Sequence, residues 1–176
     1  MENKHIAGEK NLILIGFMGV GKTTIGEETA RKLGRPFIDI DKEIEVAFGM
    51  PITQIFKEHG EKAFRSKEKE LIKYYIEENG KILSMGGGAF LREDIRQLCL
   101  NTSTVIFLDT SWEVWEKRMH TLIDTRPILQ KLSVPEIKDL FYERKEIYSS
   151  HHLRVDTDKL TPPQTADYII EVLKLQ

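Results

Sequence analysis

The sequence has little cysteine: one residue, Cys99, among 176. A single thiol excludes a disulfide scaffold and a zinc site built from several cysteines. In the pattern "IRQLCLN", Cys99 falls on the apolar side of a predicted helix. We therefore expect it to be a core residue, and a catalytic thiol is the alternative.

The chain also lacks a strong charge of either sign and a long apolar run. Its net charge of −2 carries no basic excess, so we expect no nucleic-acid partner. No apolar run is long enough to span a bilayer, and the start, "MENKHIAGEK", lacks the apolar core of a secretory signal. The sequence thus predicts a cytoplasmic protein with no membrane partner.

What the sequence does contain is the composition of one globular domain, residues 1–176, with 40% hydrophobic and 31% charged residues. Five short apolar runs are predicted strands: "NLILIGF", "PFIDID", "KILSM", "TVIFLD" and "LRVD". Helical patterns separate them, the longest from Glu61 to Asn79, and capping boxes begin at Ser133 and Thr161. This alternation predicts an α/β fold, a three-layer α/β/α sandwich around a five-stranded parallel sheet.

Polar and glycine-rich segments follow the first three predicted strands, at Gly16–Phe17, Asp39–Asp41 and Gly86–Gly88. Because the carboxyl ends of parallel strands share one edge of a sheet, we expect these segments to converge there.

The first of these segments is a phosphate-binding loop. "GFMGVGKT", Gly16 to Thr23, fits the pattern G-x-x-x-x-G-K-[ST] between a strand and a helix. Its backbone N–H groups and the helix N-terminus suit phosphate oxygens. Lys22 can reach the β- and γ-phosphates and Thr23 can ligate Mg²⁺. The loop predicts nucleoside triphosphate binding, and the absence of an N-K-x-D base motif argues against a guanine-reading switch protein.

The other candidate residues are individually ambiguous. Asp39 and Asp41 are suited to holding Mg²⁺ and activating an acceptor hydroxyl, or they are solvated acids at a strand end. Arg65 lies three residues before Glu68 on a predicted helix, so Glu68 can hold its guanidinium for carboxylate capture. A surface ion pair is the alternative.

Three further arginines lie in the second half of the chain. Arg126 precedes Pro127 in a segment, Thr121 to Leu132, whose weak periodicity predicts a loop. An arginine there can close over the γ-phosphate, Arg118 can stack on the base, and Arg144 precedes Tyr148 by four residues. Each of them, taken alone, also fits a solvated surface position.

The triple glycine of "ILSMGGGAF" is not a second phosphate loop, because no G-K-[ST] follows it. Glycines at Gly86, Gly87 and Gly88 allow close backbone approach to a bound hydroxyl, or they serve a tight turn with positive φ.

Taken together, these motifs resemble the shikimate kinase family over nearly the whole chain, from Leu12 to about Leu173. The resemblance rests on "GFMGVGKTTIG", on the D-x-D of Asp39 and Asp41, on "ITQIF" followed by "GEKAFRSKE", on G-G-G, on R-P at Arg126 and on R-x-x-x-Y at Arg144. It implies a P-loop kinase fold of the nucleoside-monophosphate-kinase type. It also implies transfer of the ATP γ-phosphoryl group to the 3-hydroxyl of shikimate, on the pathway to chorismate and aromatic amino acids.

The resemblance implies a set of roles. Catalytic residues would be Lys22, Asp41 and Arg126. ATP would contact Gly19, Val20, Gly21, Lys22, Thr23, Thr24, Arg118, Arg126 and Pro162, with Arg118 and Pro162 beside adenine. Shikimate would contact Asp41, Arg65, Gly86, Gly87, Gly88 and Arg144. Thr23 and Asp39 would hold Mg²⁺, and Ser84 would order a magnesium-bound water. A mobile lid would cover about 121–132 and a substrate-binding helical region about 42–79, in a monomer.

Two alternatives remain open on the residues alone. Another small-molecule P-loop kinase, such as a gluconate kinase, would keep the phosphate loop without needing both clamping arginines. A nucleotide-dependent regulatory module without catalysis would be expected to lack Lys22, Asp41 or Arg126, and all three are present.

Overall fold

The structure is a computed structural model that describes residues 9–175. Its strands are β1 (Leu12–Ile15), β2 (Phe37–Asp39), β3 (Ile82–Ser84), β4 (Thr104–Asp109) and β5 (Leu153–Asp156). Its helices are α1 (Lys22–Leu33), α2 (Ile40–Phe48), α3 (Ile52–Glu58), α4 (Gly60–Ile76), α5 (Glu93–Thr102), α6 (Trp112–Glu116), α7 (Met119–Ile123), α8 (Pro127–Gln130), α9 (Val134–Ile147) and α10 (Pro162–Leu173), with a 3-10 turn at Ala89–Leu91. The expectation that the chain carries no secretory signal concerns its start, and residues 1–8 lie outside this range.

The five strands form one sheet in the order β2-β3-β1-β4-β5, and every pair is parallel. Strand β1 is central and pairs with β3 on one side and β4 on the other, with Leu12 opposite both Ile82 and Thr104. The order of strands therefore reverses beside β1, and ligands of open α/β sheets bind outside the carboxyl ends of strands at such a point.

Alternation along β1 divides the apolar residues between two cores. Ile13 and Ile15 face a core shared with α2, α4, α5 and α9, whereas Leu12 and Leu14 face a smaller core shared with α1 and α10. Successive strand side chains point to opposite faces of a sheet, so a strand buried on both faces must be apolar at every position. Helices thus cover both faces, which confirms the predicted three-layer α/β/α sandwich.

Two local predictions were wrong. The second strand ends at Asp39, because the Asp39 carboxylate caps α2 by accepting hydrogen bonds from the N–H groups of Asp41 and Lys42 at 3.0 and 3.4 Å. Asp41 therefore lies in the first turn of a helix and not on the strand. The predicted loop at 121–132 contains the end of α7 and all of α8, which is too short for a periodic pattern; Pro127 begins α8 and Leu129 is buried beneath it.

Other predictions are confirmed. The long helix, expected at 61–79, spans Gly60–Ile76, and the capping boxes at Ser133 and Thr161 are both formed. Cys99 is fully buried in the larger core, as expected for a structural thiol. Over residues 9–175, no helix combines the length and the apolar character needed to cross a bilayer.

Candidate active site

A cavity of about 350 Å³ opens at the carboxyl edge of the sheet. Segments that follow β1, β2 and β3 all contribute to its wall, so the predicted convergence is confirmed. Sequence-predicted residues on this wall are Gly19, Gly21, Lys22, Thr23, Thr24, Asp39, Asp41, Ser84, Gly86, Gly87 and Arg126. Predicted residues that do not line it are Val20, Arg65, Gly88, Arg118, Arg144 and Pro162.

The phosphate loop joins β1 to α1 and is shaped around the Lys22 side chain. The Lys22 ammonium donates hydrogen bonds to the carbonyl oxygens of Gly16 at 2.7 Å and Phe17 at 3.0 Å. Gly19 and Gly21 have φ of 77° and 103°, a left-handed conformation that side chains disfavour. The loop therefore needs glycine at both positions to turn its N–H groups inward.

Lys22 and Asp41 both line the cavity, and the pKa of each is shifted. Burial, with a smaller contribution from Arg126, lowers the pKa of Lys22 to about 8, although Asp41 and Asp39 oppose the shift. Burial also raises the pKa of the Asp41 carboxyl, with Asp39 adding to that shift and Arg126, Lys22 and Arg65 opposing it. A carboxylate with a raised pKa is a better proton acceptor than an ordinary aspartate.

Thr23, at the start of α1, and Asp39, at the start of α2, bring two side-chain oxygen groups together. The Thr23 hydroxyl donates to Asp39 Oδ2 at 3.0 Å, and Asp39 Oδ1 is occupied in capping α2. A hydroxyl and a carboxylate beside a phosphate loop fit Mg²⁺, which uses few protein ligands and completes its shell with water and phosphate oxygens. Residues 9–175 contain no group of three or more His, Cys, Asp or Glu side chains that could hold a metal ion.

Arg65 on α4 is held by Glu68 one turn later. Arg65 Nη1 donates to both oxygens of Glu68, at 2.9 and 3.1 Å, and the Glu68 side chain is only 1% exposed. Burial raises the pKa of Glu68, and Arg65 opposes this shift. Phe64 packs under the guanidinium, whose carbon lies 5.1 Å from the ring centroid. The predicted ion pair is thus confirmed, and it is a partly buried pair with fixed geometry.

The glycine turn after β3 needs glycine for space. None of Gly86, Gly87 and Gly88 has positive φ, so the conformational explanation for them was wrong. A Cβ atom on Gly86 would lie 2.6 Å from Asp41 Oδ1, and one on Gly88 would overlap the Arg65 guanidinium. The turn therefore brings backbone against both a carboxylate and an arginine.

Helix α9 and the residue after it also contact this turn. Arg144 Nη1 donates to the Gly87 carbonyl oxygen at 2.7 Å, and the Tyr148 hydroxyl donates to the same oxygen at 2.8 Å. The two side chains are four residues apart, so they lie on one face of the helix. Arg144 is thereby brought next to the glycine turn, although it does not line the cavity itself.

Arg126 is half-buried at the cavity wall, immediately before α8. Arg118 is exposed at the N-terminus of α7, and Pro162 begins α10. The structure thus joins Arg126 to the phosphate loop and leaves the predicted adenine neighbours outside the cavity.

Two contacts to the phosphate loop escaped sequence reasoning. Trp115 is fully buried, and its Nε1 donates to the Met18 carbonyl at 2.7 Å. Leu122, in the predicted lid, packs so closely on Gly19 that a Cβ atom there would overlap it. A buried tryptophan needs a hydrogen-bond partner for its N–H. Trp115 and Met18 are 97 residues apart, so the sequence pattern does not indicate that they pair.

A phosphate loop that shares a cavity with a half-buried carboxylate is typical of a P-loop kinase that phosphorylates a small hydroxylated molecule. Comparison with known proteins narrows this class. A family model described as shikimate kinase matches residues 18–174. The chain belongs to the shikimate kinase family.

Individual relatives agree with this assignment. The chain is 55% identical over 168 residues to a shikimate kinase of Bacillus licheniformis, covering 95% of each chain. Among solved structures, it resembles shikimate kinase from Acinetobacter baumannii in complex with shikimate, with a TM-score of 0.85, 31% identity and coverage of 96% and 95%. It also resembles shikimate kinase from Aquifex aeolicus, with a TM-score of 0.81, 33% identity and coverage of 93% and 96%.

Proposed function

We propose that the protein transfers the γ-phosphoryl group of ATP to the 3-hydroxyl of shikimate, giving shikimate 3-phosphate and ADP. The observation that carries this proposal is the shared cavity, in which the phosphate loop with Lys22 faces Asp41 and the glycine turn. Family membership supports shikimate as the acceptor. It also favours shikimate over gluconate, and the presence of Lys22, Asp41 and Arg126 disfavours a regulatory module without catalysis.

The nucleotide half of the site has a simple electrostatic logic. Lys22 and Arg126 flank the γ-phosphate and stabilise the charge that develops as it leaves ATP. Backbone N–H groups of the loop, between Gly19 and Thr24, hold the β-phosphate at the N-terminus of α1. Thr23 and Asp39 would hold Mg²⁺, with Ser84 ordering a bound water; the cation neutralises phosphate charge when it is bound. Val20, which is buried, supports the loop, and Arg118 and Pro162 border adenine.

The acceptor half orients a small anion with hydroxyl groups. Arg65 and Arg144 both contact the glycine turn, since Arg65 lies against Gly88 and Arg144 donates to the Gly87 carbonyl. Two guanidinium forks there suit the shikimate carboxylate. Asp41 then takes the proton of the attacking hydroxyl, a task for which its raised pKa suits it.

Two longer segments also have roles in this reaction. Residues at about 121–132 act as a mobile lid over the nucleotide, and those at about 42–79 form the substrate-binding region. The enzyme works in the cytoplasm as a monomer. Sedimentation at working concentration would test the monomeric state.

The test is ADP release from ATP in the presence of shikimate, quinate or gluconate. We expect turnover with shikimate well above that with the other two. Asp41→Asn, which keeps shape but cannot accept a proton, should lose most turnover, by at least about 10²-fold, while ATP still binds. Absence of shikimate-dependent ADP release in the wild-type protein would overturn the proposed function, and near-normal kcat in Asp41→Asn would remove Asp41 from its role.

A further inference from the structure

Trp115 is a buried hydrogen-bond donor that the reaction described above does not use. It is 0% exposed, and its ring packs edge-on against Phe17, with centroids 5.0 Å apart, and lies 5.8 Å from the ring of Phe141. Its helix, α6, begins at a Ser111 cap directly after β4. The indole is thus held by the sheet and by core packing, and its Nε1 donates to the Met18 carbonyl oxygen at 2.7 Å.

The first three carbonyl oxygens of the phosphate loop have two different donors. Lys22 donates to the carbonyls of Gly16 and Phe17 from within the motif itself. The Met18 carbonyl is bound by Trp115 instead, from 97 residues along the chain. Trp115 is therefore a donor that the core supplies to a loop whose other residues bind nucleotide.

The peptide between Met18 and Gly19 is the one whose orientation this donor controls. Glycine adopts positive and negative φ about equally, so the peptide before Gly19 can turn over at little steric cost. The peptide is trans, so the Met18 carbonyl and the Gly19 N–H point in opposite directions. With the carbonyl directed at the indole, the N–H points away from it, and Gly19, unlike Trp115, lines the cavity.

The Gly19 N–H has no acceptor within the protein. No group among residues 9–175 accepts a hydrogen bond from it. In the observed orientation it is therefore available to an anion in the cavity, as N–H groups of phosphate loops are. A peptide that had turned over would present a carbonyl oxygen in its place, and that oxygen would repel phosphate.

We propose that Trp115 is a positioning residue for the nucleotide. Its N–H keeps the Met18 carbonyl on the core side, so that the Gly19 N–H stays directed at a phosphate oxygen of ATP. A loop that is preorganised in this way binds ATP without first having to order itself. This inference rests on the proposed function, since it takes ATP to be the ligand of the loop.

The test is Trp115→Phe, which removes the N–H and keeps an aromatic ring. The Met18 carbonyl loses its buried donor, so we expect the Kd values of ATP and ADP to rise about tenfold. The Kd of shikimate, measured without nucleotide, should change by less than about twofold. Calorimetric titration measures all three, and the rise in thermal midpoint caused by ADP should shrink in parallel.

The matched control is Trp112→Phe. Trp112 is buried in the same helix with its ring 5.4 Å from that of Trp115, and within residues 9–175 it donates no hydrogen bond to the phosphate loop. This variant should lower the thermal midpoint about as much as Trp115→Phe does, and it should leave the Kd of ATP close to that of the wild type.

A second replacement isolates the hydrogen bond from packing. The chain has two tryptophans, so in the Trp112→Phe protein Trp115 alone can be exchanged for benzothienylalanine, which has sulfur in place of the N–H and nearly the same ring size. The Kd of ATP should rise in that protein relative to its parent, and this comparison holds even if Trp115→Phe does not fold.

An ATP Kd that is equal in Trp115→Phe and Trp112→Phe, or in the benzothienylalanine protein and its parent, would overturn the inference. Equal losses for ATP and shikimate would also overturn it, by making Trp115 a general packing residue. Nucleotide binding is measured here without shikimate. A wild-type protein that binds ATP but releases no ADP with shikimate would therefore overturn the proposed function alone.

Discussion

Lys22 is a partly buried residue whose ammonium pKa is lowered by its surroundings. The free protein holds the ammonium against two carbonyls in a partly dehydrated loop, and its pKa falls from 10.5 to about 8. The ammonium therefore predominates below about pH 8, and the charge is lost as the pH rises through that value. A triphosphate favours the charged form, so nucleotide binding and protonation of Lys22 are linked.

We therefore predict that ATP affinity is level just above neutrality and weakens above about pH 8, by up to about tenfold per pH unit. Calorimetric titration with ATP across this range measures it. Lys22→Arg is the control, because a guanidinium stays protonated up to about pH 12. A weaker but pH-independent affinity in that variant is expected, and the same slope in both proteins would show that Lys22 is not the titrating group.

Among the secondary-structure elements, the glycine turn and α4 depend on each other. Gly88 leaves the space in which the Arg65 guanidinium lies, and Glu68 fixes that guanidinium from behind. A Cβ atom on Gly87, in contrast, would only touch the Tyr148 hydroxyl at 3.4 Å. The neighbouring glycines thus differ in what a methyl group would displace.

Gly88→Ala should raise the KM for shikimate by about tenfold or more, because Arg65 must swing away from its place at the turn. The ATP KM should be nearly unchanged, and the protein should still fold since a flexible side chain gives way. Gly87→Ala is the comparison and should raise the shikimate KM less. Steady-state kinetics with each substrate varied would measure both, and a larger effect for Gly87→Ala would contradict this account of the turn.

On the scale of the whole molecule, α7 and the residue before α8 contact the phosphate loop and the cavity wall. Leu122 rests on Gly19 of the phosphate loop, and Arg126 reaches the cavity wall from the next turn. Both short helices lie on the surface, and each has one buried side chain: Met119 in α7 and Leu129 in α8. Segments with little buried apolar area open more readily than the core, which supports the proposal of a lid.

We predict that trypsin cuts the native protein first in this region, after Arg118 or Lys131, because Pro127 protects the bond that follows Arg126. ATP with shikimate should slow that cleavage several-fold by closing the lid. Mass analysis of early fragments over time measures it, with adenosine in place of ATP as the control that lacks phosphates. First cuts elsewhere, or equal rates with and without both ligands, would argue against a ligand-closed lid.

The sequence by itself determined the sheet and the phosphate loop, and it predicted the candidate residues of the acceptor site. Strands buried on both faces are apolar throughout, glycines are required where a loop turns its N–H groups inward, and capping residues lie beside the N–H groups that they bind. All of these signals are local, or repeat with a short period. Lys22, Asp41 and the Arg65–Glu68 pair could therefore be found without coordinates.

Only the tertiary structure decided how those residues meet. Asp39 caps α2 and so ends its strand early, Trp115 of α6 donates to the Met18 carbonyl, and Arg144 and Tyr148 share one carbonyl of the glycine turn. Each contact joins residues whose pairing follows from packing and not from spacing along the chain. The space around a glycine likewise depends on its neighbours. The need for glycine at positions 86 and 88 is therefore explained only by the contacts with Asp41 and Arg65.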